Sequence, residues 1–281
     1  MRQFSIIYGG YEYSLSSAQS PVFLENPSGL GAAFELSMHS PADGFFKSAR
    51  KKTVQMPIVG TLAFKGHGEN YETYREYLPM LLQSEIDFKY APYDPQSALT
   101  NFHRLVKLEN ISKGEKRGDW LYCPASFLPL TPWYIQHTVT LTREIGGHVL
   151  SAALTVIGDM GAAVSIEKSG FPMPTMIQLG DAVSADVYSQ LYIPAANRIS
   201  GNGTLRYSTE PRDSYASFST AGTAYDLVER AELETAGFPL FGLMPKTEGE
   251  TADKLINIVY PADVTAPGNM EATITQYWRS V

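Results

Sequence analysis

The chain has 281 residues, a hydrophobic fraction of 44% and a formal net charge of −7. That is enough apolar material for one large domain or two ordinary ones, each able to bury a core without a disulfide or metal staple, and it excludes wholesale disorder. A single cysteine, Cys123, excludes an intramolecular disulfide and any paired-cysteine zinc or redox motif, and no apolar run is long enough to span a membrane.

The N-terminus, Met1-Arg2-Gln3-Phe4-Ser5-Ile6-Ile7-Tyr8-Gly9-Gly10, lacks the apolar stretch and cleavage site of a secretory signal, so synthesis in a cytoplasm is expected. Phe4–Tyr8 and Tyr11–Leu15 read as β-prone runs joined by a Gly-Gly hairpin turn. Leu24-Glu25-Asn26-Pro27-Ser28-Gly29-Leu30-Gly31 reads as a turn, because Asn-Pro and two glycines punctuate it. The basic cluster Lys47-Ser48-Ala49-Arg50-Lys51-Lys52 reads as a solvated loop. Thr53–Phe64 follows as a strand bent near Pro57.

Asn70–Ser84 carries the helical pattern. Tyr71, Tyr74, Leu78 and Leu81 fall on one stripe, Asn70 can cap and Glu72 complements the dipole; Pro79 should kink or split the helix. Ile86–Ala91, Phe102–Ile111 and Leu121–Phe127 read as strands, with a turn over residues 113–118. Leu128-Pro129-Leu130-Thr131-Pro132-Trp133-Tyr134 is stiffened by two prolines and marks a boundary. Residues 1–134 hold 13 basic and 13 acidic side chains, whereas the remainder holds 9 and 16. Such an acidic second half repels a phosphate backbone, so nucleic-acid wrapping is not expected.

Beyond the boundary the pattern is strand after strand: 137–143, 148–157, 163–167, 175–179, 187–193, 204–207, 214–219, 255–260 and 270–277. Turn residues recur every 8–12 positions, the spacing of a β-sandwich or jelly roll. Thr223–Ala236 stays open between a helix and a loop plus strand. Two domains are therefore expected, 1–134 and 135–281.

Chemical motifs are scarce. The five histidines are scattered without metal-ligand spacing, and there is no Gly-x-Ser-x-Gly elbow and no phosphate-cradling loop. No catalytic residue, cofactor or metal site is expected. Paired acids such as Glu232 with Glu234, or Asp181 with Asp186, raise a sandwich-fold hydrolase only as a remote alternative. Phe171, Tyr188 and Tyr192 are candidate sugar- or protein-contact aromatics, with core or interface packing the favoured reading for each.

From Leu24 to Tyr134 the order of features resembles the siphophage distal tail protein family. The Asn26-Pro27-Ser28-Gly29 turn comes first, then the Gly60-Thr61-Leu62-Ala63-Phe64 strand and the Tyr-rich helix Tyr71–Tyr77. Phe88-Lys89-Tyr90-Ala91-Pro92 and Phe102–Val106 follow, and Leu130-Thr131-Pro132-Trp133-Tyr134 closes the set. The second half resembles the family's outer domain more loosely, through Ile166–Gly180 and Ile199–Asp213. The resemblance implies a mainly β protein: an N-terminal β-barrel or sandwich-like domain with one helix, plus a C-terminal galectin-like β-sandwich. It implies a structural virion protein at the phage tail tip, in a hexameric ring that joins the tail tube protein to tail-tip hub or receptor-binding proteins. DNA would pass through the channel without specific binding, and no membrane insertion is implied. Pro132, Trp133 and Tyr134 would form the inter-domain joint. The alternative is a virion-associated carbohydrate-binding protein for host-surface attachment.

Overall fold

The computed structural model describes residues 3–17, 19–39, 47–66, 70–92, 101–181, 187–232, 242–243, 254–266 and 268–279, with backbone alone for 36–39, 47–53 and 188. The described residues are mainly β. They divide into two compact units, one formed by residues 1–135 with 278–281 and the other by residues 136–277.

In the first unit Gln3–Tyr8 (β1) and Tyr11–Ser14 (β2) make the opening hairpin, turned by Gly9 and Gly10 at positive φ. Val22–Ser28 (β3) follows. Next come Ala32–His39 (β4) and Lys47–Gln55 (β5), which pair only with each other. Then come Ile58–Lys65 (β6), the helix Asn70–Leu81 (α1), Ile86–Ala91 (β7) and Phe102–Ile111 (β8). Lys116–Arg117 (β9), Trp120–Pro129 (β10) and the start of Trp133–Arg143 (β11) complete the set.

Antiparallel pairing gives the order β2-β1-β7-β8-β10-β6-β3. The two ends of this order meet at one backbone hydrogen bond, Leu24 N–H to Leu15 O, at 2.9 Å. β2 and β3 form no ladder, so the sheet curls like a barrel without closing. Period-2 alternation decides its inner face: Ile86, Phe88 and Tyr90 on β7 are buried, as are Phe102, Arg104 and Val106 on β8. α1 lays Tyr74 and Tyr77 edge-on against Phe64, at 5.3 and 6.3 Å. The helix runs through Pro79 and stops two residues later, which limits the damage of the missing donor to the final turn.

Two expectations change here. The basic cluster 47–52 lies in β5 and not in a loop, since a hairpin ladder with β4 satisfies its backbone. The 24–31 segment is a strand before it is a turn. β3 continues to Ser28 with a bulge between Glu25 and Ser28, where Asn26 takes φ +49°. Asn is one of the few non-glycine residues that adopts this conformation readily.

The second unit continues with Val149–Leu154 (β12), Ala162–Pro172 (β13), Met176–Asp181 (β14) and Val187–Tyr192 (β15). Asn202–Glu210 (β16), Asp213–Thr220 (β17), Thr223–Asp226 (β18) and the single turn Leu227–Arg230 (α2) come next. Lys254–Val259 (β19) and Met270–Trp278 (β20) finish the chain. One sheet has the order β18-β17-β16-β13-β20-β11 and the other β11-β12-β19-β14-β15, with the end of β11 pairing β12. Leu150, Ile177, Leu191, Ile256 and Ile258 from the second sheet share one core with Val164, Ile166, Leu205, Phe218 and Ile274 from the first. This is a β-sandwich. The open segment at Thr223 resolves into strand and helix: Asp226 caps α2 by accepting from Val228 N at 2.8 Å. Residues 233–236 lie outside the described residues. Trp278, expected with the second domain, clusters with the first unit.

Candidate functional site

Trp133 is fully buried in the first unit. Its ring lies 6.5 Å from Phe88 and 5.9 Å from Tyr90, and the Arg104 guanidinium sits 5.1 Å from its centroid. The indole N–H has no hydrogen-bond partner. Arg104 is also fully buried and is charged without a neighbouring carboxylate among its described contacts. Arg104 Nε donates to Thr131 O at 3.0 Å, Nη1 to Met56 O at 3.4 Å, and Nη2 to Gln55 Oε1. Burial lowers its pKa to about 10, so it stays protonated at neutral pH. Thr131 answers from the other side: its hydroxyl accepts from Leu105 N at 3.0 Å. The guanidinium thus ties the end of β5 to the segment that leads into β11. Sequence reasoning did not single out Arg104. The signal was available, because Arg104 sits at the inward parity of Phe102 and Val106.

Pro132 leads into this arrangement, and Tyr134, the next residue of β11, has the opposite parity to Trp133. Its ring stacks on His103 at 5.8 Å, and His103 Nδ1 lies 3.1 Å from Asp87. On the same outer face Lys89 Nζ donates to Glu12 at 2.8 Å and Ser5 Oγ donates at 2.7 Å. These bonds, with Lys89 first, hold the Glu12 carboxyl below the ordinary carboxylate range.

Phe171 and Tyr192 lie on different sheets of the sandwich. Phe171 is 7% exposed and belongs to the sandwich core, so its ring faces are not free for stacking. Tyr192 is 41% exposed on β15. The side chain of Tyr188 lies outside the described residues. Tyr192 instead ends a cross-strand row formed with Val149, Val259 and Met176. The next row holds Ser151, Asn257, Gln178 and Gln190, all half-buried, with Gln178 Nε2 donating to Gln190 Oε1 at 2.9 Å. These eight positions carry no charge, in a half of the chain with 25 charged side chains.

Among the described residues no group of His, Cys, Asp and Glu could hold a metal ion, and no helix is long and apolar enough to cross a membrane.

The profile of the distal tail protein N-terminal domain matches residues 3–130. The first unit of this chain is thus similar to the N-terminal domain of distal tail proteins. No curated protein sequence matches the chain. Its whole length does match solved structures in fold. A chain of the phage P2 baseplate, in its activated conformation with calcium, is 13% identical with a TM-score of 0.62, and all of both chains is covered. The SPP1 Dit protein, described as a paradigm of the hub adsorption apparatus in phages infecting Gram-positive hosts, is 14% identical with a TM-score of 0.60. That match covers 97% of this chain and 98% of the other.

Proposed function

We propose that the chain forms a closed ring of six copies at the tail tip, joining the tail tube to the tail-tip hub or receptor-binding proteins. The observation that carries this reading is the match to the distal tail N-terminal domain over residues 3–130, with the SPP1 hub protein sharing the fold end to end. The first unit would build the ring and the sandwich would project from it. The channel would pass DNA without specific binding, in keeping with 13 basic and 13 acidic residues in the first 134. Pro132, Trp133 and Tyr134 would act as the joint: a buried indole fixes where β11 leaves the first unit. A heterologous contact that closes gives a finite oligomer, so six copies of 31.0 kDa should scatter light as about 186 kDa. Electron microscopy should show rings, with neighbouring tail proteins added if the free chain needs a template. Monomer under all these conditions would end the hexamer reading.

A second reading, adhesion to host carbohydrate, is favoured by one feature. The Ser151–Asn257–Gln178–Gln190 row offers amide and hydroxyl groups to sugar hydroxyls, and Tyr192 borders it. Neutral glycans suit a face without charge, and aromatic rings stack on their apolar sides. On a glycan array the full chain should retain neutral glycans, and Tyr192→Ala and Gln190→Ala should each weaken retention about tenfold, the loss of one good contact. Binding that ignores both substitutions would remove this face from consideration.

A further inference from the structure

β14 closes on Asp181, β19 opens on Lys254, and the antiparallel register sets the two directly opposite each other. Both take the inward parity of their strands, shared with Ile177 and Leu179 on β14 and with Ile256 and Ile258 on β19. Lys254 Nζ lies 3.3 Å from Asp181 Oδ2, and the two side chains are 1% and 4% exposed. Leu154 is the register partner of Lys254 on its other side. Both side chains are therefore closed off from bulk water at one end of the sandwich core.

An ammonium and a carboxylate in such a place lose their hydration, and their mutual attraction does not restore it in full. Passing the proton from nitrogen to oxygen gives a neutral amine and a carboxylic acid, the forms that burial favours. These are also the forms that react. In water this condensation stalls, because both groups are ionised and water is in excess. A core closed off from bulk water reduces both obstacles, and the paired strands hold nucleophile and electrophile at contact distance.

We propose that Lys254 and Asp181 condense to an intramolecular isopeptide bond. The Nζ lone pair attacks Asp181 Cγ and a C–N bond forms. The tetrahedral carbon then expels its hydroxyl, which takes the proton that nitrogen gives up and leaves as water. One C–O and one N–H bond break while one C–N and one O–H bond form. No atom changes oxidation state and no co-reactant is needed. The product removes a buried pair of charges and staples together the adjoining strands β14 and β19.

Intact-mass spectrometry of the folded full-length chain tests this. The wild type should be lighter than its sequence mass by one water molecule. Its tryptic digest should contain a branched peptide joining the Asp181 and Lys254 segments, with no cleavage after Lys254. Lys254→Arg and Asp181→Ala should each restore the full mass. A folded wild-type chain at full sequence mass overturns the proposal without recourse to any variant, as does a water loss that survives Lys254→Arg.

Discussion

Trp133→Ala is expected to cost the first unit about 3–5 kcal/mol, the range for truncating a fully buried large aromatic. The indole touches Phe88 and Tyr90 and carries the Arg104 guanidinium on its face, so the loss combines a cavity with an exposed flank of a buried cation. Its N–H bonds to nothing, which supplies the control: Trp133→Phe removes no hydrogen bond and should cost clearly less than the alanine variant. Hydrogen exchange on the full chain localises the effect. Amides of β7, β8 and the start of β11 should lose protection while those of β16 and β17 keep theirs. A change below about 0.5 kcal/mol is what a surface position gives, and it would mean that Trp133 does not anchor β11.

Gly29→Ala should be comparably severe for a different reason. Gly29 has φ +86°, and a Cβ added there would lie 1.7 Å from Pro57 O and 2.7 Å from Pro57 C. Those atoms are backbone, so no rotamer change relieves the clash; the turn after β3 or the start of β6 has to move. The expected loss is about 3 kcal/mol or more, beyond the range of ordinary point substitutions. Gly10→Ala separates the two contributions. Its φ is +81°, but nothing stands within 4 Å of the added atom, so it should pay only the left-handed penalty of about 1–2 kcal/mol. Equal melting shifts for the two variants would show that the contact with Pro57 is not limiting.

The same contact explains what was and was not readable beforehand. Asn26-Pro27-Ser28-Gly29 reads locally as a turn, but its ladder with β6 comes from residues about 35 positions later in the chain, which no local pattern reveals. β7 and β8 were legible to the residue, because alternation and flanking breakers agree with burial on one face. The 47–52 cluster misled because charge was read as solvent exposure, whereas strand formation needs only a partner for the backbone. Phe171 takes the core position, the favoured alternative to a contact role. Arg104, Asp181 and Lys254 share one lesson. Each is a charge at an inward position of an alternating strand, and parity outweighed polarity each time. The grouping of the uncharged rows depends on four strands meeting in register, so it became visible only with the sheet.

Trp278 sets its ring edge-on to Phe102 at 5.3 Å, and the last residues cluster with the unit in which the chain begins. The sandwich is therefore an insertion in covalent terms, bounded by one crossing after Ile135 and a second before Trp278. A protease that cuts a single crossing would not release it. A pull on the sandwich is divided between two backbone strands and loads both ends of the first unit's core. Exchange of modules has the same logic. A domain whose termini match the spacing of these two crossings can replace residues 136–277 and leave Trp133 and Trp278 to hold the same seats.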